Sequence, residues 1–393
     1  MATMERKPLK LSDHTITAQG PTRICMLNYN AWGVIADAGG KQVPIGGEEV
    51  QHALLSRHLA RRGYQVTSVV GDFGQQALEQ VAGVQVRKTF ALHAGLPGLR
   101  FFTPRLSSTW AALKAADADV YYVSCAGAMV GVIAAFCRRY RRRFVFRIAS
   151  DADCAPATLM LGNTRDRLLY QYGLRRADSI LAQTGKQAEL LLRHYGLRAA
   201  LAGMFSDLPE TPAPFAARST DLLWLANLRS MKRPDWFLAL ARALADMPAL
   251  RCDMAGGAHH SEPHIYADAE RAARALPQLH FHGQVRFGAT GALFANARLF
   301  INTSSFEGFP NTYLQAWANG TPVVATFDPD GLIAAQGLGL VVRDVAGAAA
   351  AVRRLLADQA AWYACSARCR AYAATRLAPD TVSAPYLAAM VPA

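Results

Sequence analysis

Glu307 stands in the run FINTSSFEGFPNTYLQAWANGTPVVATF, residues 300–327, and its neighbours decide what a carboxylate there can do. The apolar FIN reads as the end of a strand. Small polar residues, Gly308 and Pro310 follow and leave the backbone few choices. Pro310 suits the first turn of a helix, where its missing N–H would have had no partner. The helix runs through NTYLQAWAN and stops at Gly320, a natural left-handed cap, before a short buried strand, VVAT. A helix that starts at the carboxyl edge of a strand offers free backbone N–H groups and a positive dipole end, which together bind anions. With a carboxylate just ahead of it, such a site suits a ligand with phosphates on one side and neutral hydroxyls on the other. A nucleotide-sugar has that form.

Three more stretches carry candidate chemistry. WLANLRSMKRPDWF, residues 224–237, places Arg229, Lys232 and Arg233 in the turn between a strand and a helix. IGGEEVQHALLSRHLARRG, residues 45–63, sets Gly46 and Gly47 before a helix, so that the backbone can approach a phosphate or an acceptor closely, and Glu48 and Glu49 suit the helix dipole. SDADC, residues 150–154, offers Ser150, Asp151 and Asp153 either as groups that orient a hydroxyl or as ordinary turn and cap residues. His52, His58, His259, His260 and His282 read as surface or packing residues, and no His, Asp or Glu spacing resembles a metal site.

The segment around Glu307 resembles the donor-site signature of the retaining glycosyltransferases of family four, which have the two-domain GT-B fold. That family shows a glutamate, seven intervening residues and a second glutamate; here the first is Glu307 and the position of the second is Gln315. The resemblance gives Glu307 the hydroxyls of the transferred sugar and Gln315 the ribose, since a glutamine still donates and accepts hydrogen bonds. It sets Gly308, Phe309, Pro310 and Asn311 along the sugar and phosphates, and the turn at Val285 against the base. The family's phosphate-gripping turn is an arginine, four residues and a lysine. Lys232 matches the lysine, Asn227 stands at the arginine position, and Arg229 or Arg233 is the candidate replacement. Gly46 and Gly47 match the family's glycine loop, and Ala149 falls where a histidine is often found. The resemblance therefore implies catalytic roles for Glu307 and Lys232, an acceptor side near Ser150, Asp151 and Asp153, and a UDP- or GDP-sugar donor. It implies retention of configuration and no metal or other cofactor. The implied acceptor is a glycan or lipid-linked hydroxyl in polysaccharide biosynthesis. A sugar-nucleotide epimerase can use the same architecture, but Ala149 speaks against it. A degenerate nucleotide-binding scaffold is the reading that Gln315 and Asn227 motivate.

The elements that must position these residues follow from the rest of the chain. At 393 residues it is too long for one core. With 52% apolar residues, its composition is that of an ordinary globular protein. Short apolar runs alternate with helical patterns, first RICMLNY, YQVTSVVG, DVYYVS, RFVFRIAS and DSILAQT, then DLLWLAN, RCDMAGG, HFHGQV, ARLFINT and PVVAT. That alternation specifies an α/β chain of two doubly wound, Rossmann-like domains facing across a cleft. The expected layout is a flexible leader, 1–20; an acceptor domain, 21–205; a proline-rich linker, 206–220; a donor domain, 221–370; and a C-terminal helix, 371–393, that crosses back to the first domain and bends at Pro379 and Pro385. The eighteen uncharged residues 120–137 read as a strand, a turn and a small-residue helix rather than a membrane span.

Charge and thiols bound the setting. Residues 1–205 carry a net +12 and residues 206–393 a net +1 of the total +13. The densest basic run is Arg138, Arg139, Arg141, Arg142 and Arg143. Such a face suits anionic phospholipid headgroups or a phosphate-bearing acceptor. No aromatic-interleaved basic motif points to nucleic acid. Seven scattered cysteines read as reduced thiols of a cytoplasmic protein, peripheral on the inner face of the cell membrane where the basic face applies.

Overall fold

The computed structural model describes residues 22–37, 45–209, 211–259 and 261–391. The expected leader at 1–20 and His260 lie outside them. The alternating apolar runs form two sheets. The first holds β1 (Arg23–Leu27), β2 (Gln65–Val70), β3 (Leu78–Val81), β4 (Val84–Lys88), β5 (Val120–Ser124), β6 (Arg143–Arg147), β7 (Ser179–Ala182) and β8 (Ala200–Leu201), in the order β3-β4-β2-β1-β5-β6-β7-β8. Every pairing is parallel except β3 with β4. The second holds β9 (Thr220–Leu225), β10 (Cys252–Ala255), β11 (Leu279–Gly283), β12 (Ala297–Asn302), β13 (Val323–Ala325) and β14 (Gly339–Val341), in the order β11-β10-β9-β12-β13-β14, all parallel.

Each sheet is doubly wound, so each has one place where the strand order reverses. In the first it lies between β1 and β5, and in the second between β9 and β12. Crossovers leave in opposite directions there and open a crevice at the carboxyl ends of the strands. The central strands are apolar along their length because helices cover both faces. Ile24, Met26 and Val145 point into one core layer of the first sheet, and Cys25, Leu27, Tyr121 and Phe146 into the other.

Residues 120–137 fold as β5, a turn and most of the helix Ala128–Tyr140, and no helix among the described residues is long and apolar enough to cross a membrane. The C-terminal segment is three helices, Val345–Ala357, Gln359–Arg376 and Pro379–Met390. Pro379 is the first residue of the last helix, and Pro385 sits inside it rather than between elements. That helix carries Val382, Tyr386 and Met390 into the core of the first sheet. The Tyr386 hydroxyl donates to the Gly203 carbonyl at 2.9 Å, and Asp380 pairs with Arg62 at 2.5 Å. The β3–β4 hairpin lies outside the expected strands, because LEQV is short and has no buried residue. Its turn is made by Ala82 and Gly83, both at positive φ, 50° and 82°.

His52, in the helix Gly47–Arg61, is a packing residue. It is 1% exposed, with Nε2 2.7 Å from the Ser68 hydroxyl. Burial pushes it down to about 3 from the ordinary 6.5. Below 6.5 the unfolded chain takes up a proton that the folded chain refuses. The stability linked to His52 is therefore complete above that value and lost as pH falls, at up to about 1.4 kcal/mol per pH unit. Urea unfolding between pH 7 and 5 is expected to show a shallower loss for His52→Gln than for the wild type by about that slope.

Candidate active site

The carboxyl ends of the two sheets face one another across a cavity of about 370 Å³. It lies against the β9/β12 reversal. Leu225 and Asn227 follow from β9, Gly256 and Gly257 from β10, and Asn302 ends β12. Gly46, Gly47, Glu48 and Ala149 come from the first sheet's side; Arg229, Lys232, Val285, Glu307, Gly308, Phe309, Pro310, Asn311 and Gln315 come from the second. Residues far apart in sequence thus share one wall-to-wall space.

The cleft is closed by polar contacts and by a tight approach of backbone to backbone. Asn227 Nδ2 donates to the Ile45 carbonyl at 2.9 Å, and Gln51 Nε2 donates to Asn311 Oδ1 at 2.6 Å. A Cβ on Gly308 would lie 2.4 Å from the Ala149 carbonyl oxygen, so only a residue without a side chain fits there. Asn227 therefore acts in the contact between the two halves.

Within the cavity, charge is concentrated on one pair. Lys232 Nζ bonds Glu307 Oε1, which also accepts from the Ser304 hydroxyl at 2.6 Å. Their side chains are 20% and 12% exposed, so each is the other's main counter-charge. Arg229 also faces the cavity, with Nε 3.8 Å from Glu262. Arg233 is directed elsewhere. It donates to the Thr303 carbonyl at 2.5 Å and the Thr326 hydroxyl at 2.9 Å, and its guanidinium lies 3.8 Å over the Trp236 ring. Of Arg229 and Arg233, Arg229 is the one in the cavity lining. Pro310 is the residue just before the helix Asn311–Ala318 rather than part of its first turn. Gln315, one turn on from Asn311, holds the Thr290 hydroxyl at 3.2 Å.

The structure does not bring Ser150, Asp151 or Asp153 to the cavity lining. Ser150 caps the short turn Asp151–Cys154, accepting from the Ala152 N–H at 3.2 Å. Asp153 accepts from the N–H groups of Ala149 and Ser150 at 3.3 and 3.2 Å, and burial pushes its carboxyl up to about 6. Asp151 pairs with Lys186 at 2.8 Å. These are cap and turn interactions that hold the loop after β6, and it is the backbone of Ala149 that reaches the cleft.

Two features of the site have no local signature in the sequence. Glu48 faces the cavity and is gripped at 3.0 Å by Nη1 of Arg147, a fully buried arginine at the end of β6. A second cavity, of about 550 Å³, opens at the β1/β5 reversal, with Asn28, Glu49, Arg105, Met129 and Arg165 among its lining.

Two family models match the sequence, one described as glycosyl transferases group 1 over residues 219–358 and one as glycosyltransferase family 4 over residues 45–201. Among solved structures, sucrose-phosphate synthase from Thermosynechococcus elongatus superposes with a TM-score of 0.71 at 18% identity, covering 92% of this chain and 96% of that one. HepE of Anabaena, in complex with UDP and glucose, gives 0.69 at 16%, covering 92% and 97%. WaaG, a glycosyltransferase involved in lipopolysaccharide biosynthesis, gives 0.65 at 16%, covering 94% and 100%. At these identities the structural matches establish the fold, GT-B. No curated protein matches the sequence significantly.

The closed cleft makes a testable contrast between two glycines. A Cβ on Gly308 meets backbone, whereas one on Gly47 lies 2.3 Å from Asn311 Nδ2, the end of a side chain that can turn away. Gly308→Ala is expected to hold the halves apart and enlarge the radius of gyration in small-angle scattering. Gly47→Ala is expected to leave it unchanged.

Proposed function

The chain belongs to the group 1, family-four glycosyltransferases, and on that premise we propose that it moves a hexose from a UDP- or GDP-sugar to a hydroxyl of a glycan or lipid-linked acceptor, with retention of configuration, in polysaccharide biosynthesis. The observation that carries this reading is the convergence of a lysine, an arginine, a carboxylate and a helix start on one closed cavity. In this reading Lys232 and Arg229 face the diphosphate, and the N–H groups at the start of Asn311–Ala318 add to them. Glu307 leaves Lys232 for hydroxyls of the sugar, and Gln315 takes the ribose. On this reading each member of the Lys232–Glu307 pair has its own contact with the donor.

The chemistry asks the protein for positioning and charge. The acceptor oxygen forms its bond to the anomeric carbon on the face from which the phosphate oxygen departs, and the acceptor proton passes to that leaving oxygen. Lys232 and Arg229 stabilise the charge that develops on the diphosphate. The close fit of Gly308 on Ala149 keeps water from the anomeric carbon, limiting hydrolysis of the donor. No step calls on a metal. The fold shared with HepE, whose structure holds UDP and glucose, supports a nucleotide-sugar donor. The lining contains no histidine among the described residues, which weighs against an epimerase.

The reading assigns acceptor binding to residues 21–205, donor binding to 221–370, the hinge to 206–220, and to 371–393 the role of tying the halves together. It also sets the protein in the cytoplasm, peripheral on the inner face of the cell membrane. Free thiols at all seven cysteines and the net +12 of residues 1–205 support that setting.

The test is release of nucleoside diphosphate from a panel of nucleotide-sugars with lipid-linked and free acceptors. One donor is expected to be turned over, with Lys232→Ala and Glu307→Ala each lowering kcat on the order of a hundredfold or more. Gln315→Ala is expected to raise the donor KM about tenfold, the loss of one hydrogen bond. Nucleotide binding without release from any donor would replace this reading with that of a scaffold.

A further inference from the structure

The second cavity lies where a doubly wound sheet binds ligands, at the β1/β5 reversal, yet nothing in the donor reading uses it. Its rim is unlike the rest of the surface. Of eleven large apolar side chains that stand exposed among the described residues, five belong to the two segments that frame this cavity. They are Leu96, Leu99, Phe102, Met160 and Leu168, exposed from 57% (Phe102) to 76% (Met160). Leu96, Leu99 and Phe102 recur every third residue along a run of turns in which the Leu99 N–H bonds the Leu96 carbonyl and the Phe102 N–H that of Leu99. Phe101, in the cavity wall, touches Phe102 edge-on, with ring centroids 5.4 Å apart. Arg165, also in the wall, lies 3.8 Å over the Phe101 ring, and Leu168 is one turn further along the helix Thr164–Leu174.

From that rim a cationic stripe continues along the same helix. Arg165, Leu168 and Tyr172 share one face, which ends at the exposed Arg175 and Arg176, roughly 16 Å away. Tyr172 joins Arg138, Arg139 and Arg141 around one shallow surface pocket, and the Arg176 guanidinium lies 3.9 Å over its ring. The two helices concerned are fixed to each other, since a Cβ on Gly131 would lie 2.3 Å from the Leu169 carbonyl oxygen. Not every arginine of the 138–143 run is free for a partner. Arg142 pairs with Asp117 and Asp119, and Arg143 donates to the Ala389 carbonyl.

We propose that this apolar and cationic surface docks on an anionic lipid bilayer, so that the second cavity opens at the membrane and receives the head of a lipid-linked acceptor. The assignment of the cavity to an acceptor rests on the glycosyl-transfer reading; the docking does not. Large apolar side chains near exposed arginines match a bilayer interface on both counts: the former sink to the acyl boundary, and Arg138, Arg139, Arg141, Arg175 and Arg176, which form no ion pair with the described residues, face acidic headgroups, whereas Arg165 at the rim pairs with Asp166 at 2.8 Å. A polynucleotide would use the arginines and leave the apolar rim in water.

Sedimentation of the full chain with phosphatidylcholine vesicles, with and without phosphatidylglycerol, tests the docking. The wild type is expected to pellet with the anionic vesicles at low salt and to be released as salt rises. Arg138→Gln and Arg139→Gln should each weaken partitioning about fivefold. The pair Leu99→Ser and Phe102→Ser should weaken it roughly tenfold or more. Val341→Ser, an exposed apolar site on β14 of the other sheet, should not. Melting temperatures equal to the wild type's show that the rim variants are folded. A wild type that stays in the supernatant, rim variants that pellet like it, or binding to homopolymer RNA in place of vesicles would each overturn the docking. Failure of the glycosyl-transfer reading would leave vesicle binding intact, and failure of docking would leave nucleoside diphosphate release from soluble acceptors intact.

Discussion

The missing side chain of Gly308 is the constraint on which the cleft depends. Because nothing stands between its Cα and the Ala149 carbonyl, the carboxyl ends of two separate sheets can meet. Their meeting gives the cavity its second wall and sets Glu48 and the Gly46–Gly47 turn opposite Lys232 and Glu307. The pair Lys232–Glu307 belongs to the same logic. Two charges that are mostly out of water need partners, and these two are paired with each other. A ligand with a diphosphate and sugar hydroxyls offers both of them a better partner at once.

Both cavities follow from one topological rule applied twice. Each sheet reverses its strand order once, and each reversal opens a crevice. The crevice at β9/β12 is faced by the other half and becomes the cavity that the proposed reading gives to the donor. The crevice at β1/β5 opens instead beneath the apolar rim, with Glu49 in its wall between Glu48 and Val50 of the first cavity. The last helix joins these arrangements, since Tyr386 and Val382 pack into the first sheet while their chain arrives from the second. That helix and the segment near 206–220 are the two places where the chain passes between the halves.

What could be read from sequence was whatever lies close together in the chain. Strand, turn and helix around Glu307 are contiguous, so residue types and their order specify a helix start beside a carboxylate without knowledge of the rest. The same holds for Lys232 in its turn and for the alternation that specifies two α/β halves. What could not be read depends on distant segments. Ser150, Asp151 and Asp153 offer the right groups for an acceptor, but backbone N–H groups and Lys186 engage them. Glu48 reads as a helix-start acid, and only the fold brings the buried Arg147 to it. The choice between Arg229 and Arg233 needed the Trp236 ring and the Thr303 carbonyl, which take Arg233 away from the cavity. The second cavity is built from several separate stretches of chain and has no local signature.

The most direct measurement is a crystal structure of the protein soaked with UDP and, separately, GDP. The account requires one of them to place its diphosphate at the start of the helix Asn311–Ala318, with Lys232 Nζ drawn from Glu307 onto a phosphate oxygen. A diphosphate bound elsewhere, or bound there while the Lys232–Glu307 pair stays whole, would contradict it.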